Sequence, residues 1–160
     1  MTKPIAEITI NDIINAAGIS KQTFYNYFKD KNDTMIYAFK LESEEVSHKI
    51  DGHMENFINL LSDFLSKLAN NNLYYYKIAN YETQNNFIDY FYETTRKFYT
   101  GCFIKKYGMI SQQIKSTIDF YSAGATKLIM NWIQNGMKEG PREMASTIFS
   151  CMPDLLKELT

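Results

Sequence analysis

Residues 8–33 read Ile-Thr-Ile-Asn-Asp-Ile-Ile-Asn-Ala-Ala-Gly-Ile-Ser-Lys-Gln-Thr-Phe-Tyr-Asn-Tyr-Phe-Lys-Asp-Lys-Asn-Asp, and this stretch decides the fold. It describes two short helices around a tight turn. Thr9 is placed to cap the first, with Asp12 three residues on, where a capping-box acid belongs. Ile10, Ile13, Ile14 and Ala17 recur at helical spacing and predict a buried stripe. Gly18 follows the last of them, the position of a left-handed helix stop. Ile19 is expected to plug the turn. Ser20 then caps a second helix in which Phe24 and Phe28 share one face.

Such a pair has the parts of a helix-turn-helix: a bracing helix, a fixed turn and a second helix with a polar front. A second helix of this kind lies in the major groove, its N-terminal residues at the base edges. Ser20, Lys21, Gln22, Thr23 and Asn26 are short or polar enough for that place. Gln22 and Asn26 suit bidentate pairing with adenine, and Lys21 reaches guanine. Tyr25, Tyr27, Lys29 and Lys31 are better placed for phosphates, Lys31 also lying in the first turn of the next helix. The competing reading is an ordinary helical pair with a solvated face. Charge separates the two only weakly, because residues 1–40 hold five lysines against four carboxylates, a local balance of +1.

Outward from this segment the chain continues as helix. Asp30 is expected to cap a helix from Lys31 to about Ile50, with Ile36, Phe39 and Val46 as apolar positions, and Asp51-Gly52 to break it. Further helices are predicted over about 54–69, 74–81, 85–107 (bent near Gly101) and from a Ser111 cap to Asn135-Gly136. Asn70 to Asn72 reads as a loop. A last helix starts at Pro141, a residue favoured at the first helical position, and Pro153 bends or ends it. Of 160 residues, 45% are apolar and only three are Pro and seven Gly, which favours an all-α fold with a buried core.

A net charge of −1 offers no global attraction to nucleic acid or lipid, so any DNA-binding surface must be local. No apolar run approaches the ~18–20 residues that cross a bilayer and no leader is evident, so a soluble cytoplasmic protein without membrane partners is expected. Cys102 and Cys151 are read as reduced, mostly buried thiols. His48 and His53 lack a third Cys or His nearby, so no metal is expected. Glu42, Glu44 and Glu45 read as a solvated face. No phosphate loop, nucleophile elbow or zinc-protease motif is present, so neither catalytic residues nor cofactors are expected.

The middle of the chain is rich in aromatics, which either pack as core or line an effector pocket. The candidate ligand-binding residues are Tyr75, Tyr81, Phe87, Tyr90, Phe91, Phe98, Phe103 and Tyr121. Trp132 is expected to anchor an interface rather than touch a ligand.

Residues 8–33 resemble the DNA-binding signature of the TetR/AcrR family, in which Thr, Ala-Gly-hydrophobic-Ser, Thr, aromatic, Tyr, Phe and Lys recur at these spacings. The segment 120–144, from Phe120 through Trp132 to Met144, is similar to the penultimate helix and following loop of a subgroup that includes regulators similar to the dihydroxyacetone kinase activator. The resemblance implies phosphate contacts by Thr9, Thr23, Tyr25, Tyr27 and Lys31, base contacts by Ser20, Lys21, Gln22 and Asn26, and Phe24 and Phe28 in the core. It further implies a DNA-binding domain over 1–46 and a ligand-binding and dimerisation domain over 47–160. Helices at about 118–136 and 141–157 would build a four-helix homodimer interface. The function so implied is an effector-controlled regulator, a repressor, on a double-stranded operator. The effector is a small molecule or a protein. One departure concerns the start. Family members carry a helix before the Thr9-like position, where this chain has Met-Thr-Lys-Pro-Ile-Ala-Glu-Ile, so the first helix is expected to be missing. Ile13, Ala17 and Phe24 should then lose part of their cover. The alternative function is a family-like dimer that has lost productive DNA binding and acts through protein contacts.

Overall fold

Side-chain caps from Thr9, Ser20, Asp30 and Ser111 set where their helices begin. The computed structural model describes residues 3–47, 54–81 and 85–159, with side chains described outside 45–56 and 82–86. After a 3-10 turn at Ile5–Glu7 come α1 (Ile10–Ala17), α2 (Lys21–Tyr27) and α3 (Lys31–Ser47). The Thr9 Oγ1 accepts from the Asp12 amide at 3.2 Å, and Asp12 accepts from the Thr9 amide at 2.7 Å, so the capping box is closed. Gly18 adopts φ 65° and ψ 30°, and the amide after it, on Ile19, donates back to Ile14 at 3.1 Å. Ser20 Oγ caps α2 by accepting from Thr23 N at 3.0 Å. Asp30 Oδ1 accepts from the amides of Asn32 and Asp33 at 2.7 and 3.0 Å, opening α3.

The rest is α4 (Met54–Asn70), α5 (Asn72–Ala79), α6 (Asn85–Tyr107), α7 (Gln112–Gln134), α8 (Pro141–Ser150) and α9 (Asp154–Lys157). The loop expected over Asn70–Asn72 contracts to the single residue Asn71. Helix α6 runs unbroken through Gly101, and Gly108 at φ 79° stops it. Pro153 does separate α8 from α9. The expected end of α3 near Ile50, the Asp51-Gly52 break and both histidines lie outside the described residues.

Helix α7 is the spine of the body. Ile118, Tyr121, Ala125, Ile129, Met130, Trp132 and Ile133 along it are all buried. It packs against α6, α5 and α8, while α4 and α8 form the other closely packed pair. Specific polar bonds fix these crossings. The Tyr121 hydroxyl donates to the Ile148 carbonyl at 3.0 Å, Gln134 Nε2 to the Ala79 carbonyl at 2.8 Å, and Arg142 Nη1 to Asn59 Oδ1 at 2.8 Å.

Several expectations are corrected here. The α1 stripe is not buried: Ile10, Ile13 and Ile14 are half-buried and Ala17 is exposed, whereas Phe24 keeps complete cover. Ile19 does not plug the turn but lies at the surface. Trp132 is no interface anchor, because it is buried and its indole N–H donates to the Glu139 carbonyl at 2.9 Å within the same chain. Cys151 is exposed rather than buried.

Candidate nucleic-acid interface

Helix α2 has one apolar residue facing inward and a polar front. Phe24 is wholly buried, its ring 5.5 Å from Phe28, which in turn meets Tyr37 of α3 edge-on at 5.4 Å. This three-ring stack fixes the roll of α2 about its axis. Lys21, Gln22, Tyr25, Asn26 and Tyr27 consequently point outward, Tyr27 at 77% exposure. Among the described residues, Lys21, Gln22 and Asn26 make no side-chain hydrogen bond, so their donors and acceptors remain available. Ser20 and Thr23 bond to each other through their hydroxyls at 2.9 Å. Tyr37, 46% exposed beside Phe28, joins this face without having been singled out. The signal was its place next to Ile36 in a helix whose core position is Phe39.

The carboxylates near this face serve the helix caps. Asp12 is held well below the usual carboxylate range by the Lys3 ammonium at 2.9 Å and by the hydroxyl and amide of Thr9. Asp30 faces helix amides, and Asp33 accepts from the Lys29 amide at 2.9 Å. Three carboxylates are thus committed to caps, while Lys21 and Lys29 remain exposed. Lys31 behaves differently from the other candidates. Its ammonium donates to the carbonyls of Ile5 and Ala6 at 3.0 and 3.3 Å and sits 5.2 Å from the Tyr81 ring centre. It anchors the turn before α1 to α3. Thr9 is exposed, with its hydroxyl engaged by Asp12.

Helix α3 joins this face to the body. Phe39 packs against Phe64, Phe87, Tyr90 and Phe91 with ring centres 4.7 to 6.0 Å apart. From α5, the Tyr74 hydroxyl donates to the Met35 carbonyl at 3.2 Å and the Tyr75 hydroxyl to the Glu42 carboxylate. Burial pushes the Tyr74 phenol up to about 12, and burial together with the Glu42 bond raises Tyr75 further. Glu42 is therefore not part of a solvated face. A cleft of about 120 Å3 lies between α3, α4 and α6, lined by Phe39, Phe64, Phe91, Thr94, Thr95 and Phe98 among others.

Residues 55–154 match a family model described as a transcriptional regulator C-terminal region, and residues 1–35 match one described as bacterial regulatory proteins, tetR family. The chain belongs to the TetR family. It is accordingly a transcriptional regulator and not an enzyme. Two solved structures share the fold of this TetR-family chain. One is a dihydroxyacetone kinase operon activator, 21% identical, with TM-score 0.67 over 98% of this chain and 88% of that one. The other, from Syntrophomonas wolfei, is described as a TetR-family transcriptional regulator and is 19% identical, with TM-score 0.60 over 94% of this chain and 85% of that one. No curated protein matches the chain significantly in sequence. Among the described residues of this TetR-family regulator, no helix is long and apolar enough to cross a membrane.

The eight aromatic candidates do not converge on one cavity. Phe91 and Phe98 line the α3–α4–α6 cleft. Phe87 and Tyr90 stack on Phe39 from α6, and Tyr75 is fully buried against α3. Phe103 is buried against Tyr107, Tyr121 is committed to α8, and Tyr81 stands beside Lys31. Aromatic content marked the core, and only spatial position separates the cleft residues from the rest.

Proposed function

We propose that this TetR-family regulator binds a pseudopalindromic operator as a homodimer, in the cytoplasm, and represses transcription until an effector enters its body. Residues 1–46 serve as the reading domain and 47–160 as the effector and dimerisation domain. The carrying observation is the polar front of α2, with Gln22 and Asn26 exposed, without side-chain hydrogen bonds among the described residues, above a fully buried Phe24. In this reading Ser20, Lys21, Gln22 and Asn26 face bases. Thr9, Thr23, Tyr25, Tyr27 and Lys29 touch phosphates. Lys31, held by carbonyls, acts on DNA only through the geometry it maintains.

Support for the dimer comes from α7. Phe120 is 84% exposed on α7 and is followed on the same face by exposed Ala123 and Gly124, small enough to let a second helix approach, and by exposed Lys127. A two-fold interface of this kind sets two α2 helices about one DNA turn (~34–36 Å) apart. The effector site in this reading is the aromatic cleft at Phe91 and Phe98. Its volume of about 120 Å3 is below the ~300 Å3 of ordinary ligand sites. A ligand entering it must therefore part α3 from α4 and α6, which moves α2. The activator among the similar structures shares the fold, and the sign of control depends on where the operator lies relative to the promoter.

Fluorescence anisotropy with DNA flanking the coding region, at several salt concentrations, tests the proposal. Sequence preference and a linear fall of log affinity with log salt are expected. Equal affinity for scrambled DNA would overturn it in favour of a dimer acting through protein contacts.

A further inference from the structure

A cavity of about 510 Å3 lies away from the aromatic cleft, at the junction between the reading helices and the α4–α5 turn. Ile5, Ile8 and Ile13 form one wall, Met35 of α3 the back, and Leu73 and Tyr74 of α5 the other wall. These apolar side chains are half-buried, and Leu73 is 61% exposed, so the cavity presents uncovered apolar surface. Its volume falls within the ~300–1,000 Å3 of small-molecule sites, unlike the aromatic cleft.

Charge narrows the ligand class. Among the described residues, Lys3, Lys31 and Lys77 line the cavity and no carboxylate does. Lys3 is neutralised by Asp12. Among the described residues, Lys31 meets neutral carbonyls and a tyrosine ring and makes no ion pair. Lys77 makes no ion pair among the described residues and stands one helical turn from Leu73, on the same side of α5. An apolar chamber with two such ammonium groups suits an amphipathic anion. We infer that this cavity binds a small amphipathic carboxylate, its apolar body against Ile8, Ile13, Met35 and Leu73 and its carboxylate at Lys77 in the field of Lys31. Because its walls belong to both the reading helices and the body, an occupant sets the angle between them, independently of the cleft at Phe91 and Phe98.

The test uses the full chain without DNA, so its outcome does not depend on operator binding. Octanoate is the probe and 1-octanol its uncharged analogue, each followed by calorimetry and by methyl NMR of Ile and Met. Octanoate should bind saturably, shift the Met35 and Ile13 signals, and bind at least about tenfold more tightly than octanol, the scale of one charge-assisted hydrogen bond. Lys77→Gln should remove about that factor for octanoate and leave octanol unchanged. Leu73→Asp, at an exposed position that cannot unfold the core, should weaken both. Lys97→Gln, exposed on α6, should change neither. Absence of octanoate binding, equal affinity for octanol, or indifference to Lys77→Gln overturns the inference.

Discussion

Gln22 and Phe24 stand two residues apart on α2 and meet opposite environments, one open to solvent and one fully enclosed. Substitutions should separate along that division. Gln22→Ala and Asn26→Ala should each cost about 1–3 kcal/mol of operator binding and relax the preference at one base pair, with the melting curve unchanged. Phe24→Ala should cost about 3–5 kcal/mol of stability by leaving a cavity. Anisotropy beside circular dichroism distinguishes the outcomes. Asp12 carries a pH prediction. Its folded pKa is depressed, so the stability it contributes is complete above the ordinary carboxylate value of ~3.9 and is lost as pH falls toward the folded value. Exchange of the Thr9 amide should therefore quicken in acid below that value, and Asp12→Asn should abolish the dependence. Residue type alone was enough to read the outward place of Gln22 and Asn26, the inward place of Phe24 and the Thr9–Asp12 cap, because caps and helix faces are local. It was not enough for Glu42, Tyr75 or Lys31, whose partners are distant in sequence: Tyr75 is 33 residues from Glu42 and Lys31 is 26 from Ile5.

At the level of elements, the turn between α1 and α2 depends on Gly18. Its φ of 65° is the left-handed region, and a Cβ there would meet nothing within 4 Å, so the penalty for a side chain is purely one of backbone conformation. Gly18→Ala should cost about 1–2 kcal/mol, visible as a lower melting temperature with DNA specificity retained. Among the described residues, two hydrogen bonds tie α3 to α5, and Tyr75→Phe removes the stronger. About 1–2 kcal/mol of stability should go with it, since the Glu42 carboxylate loses a buried donor. If α3 transmits the effector signal, this variant should also respond less to effector in an operator-release assay. A response equal to that of the unaltered protein would remove the α3–α5 tie from the signalling route. Helix boundaries were legible to within a few residues where Thr9, Gly18, Ser20, Asp30, Ser111 and Pro141 marked them. The Asn70–Asn72 run misled because asparagine is read as loop, yet Asn71 alone suffices to turn α4 into α5.

For the molecule as a whole, the exposed face of α7 carries the oligomeric prediction. Phe120→Lys should convert the dimer to a monomer in analytical ultracentrifugation without lowering the melting temperature of the chain, because Phe120 contributes little to the core at 84% exposure. Operator affinity should fall with it, since one reading helix then binds a half-site alone. The all-α class followed from composition and spacing. The place of any ligand did not, because aromatic residues serve core and cleft alike. The chain has one tryptophan, and the ring sits 2% exposed beside the α7–α8 turn, its N–H bonded to Glu139. Emission excited at 295 nm therefore monitors that corner and is blind to the reading helices, which can melt unseen. Their loosening has to be followed through tyrosine signals or amide exchange, and a single sharp tryptophan transition is no evidence that the whole chain unfolds together.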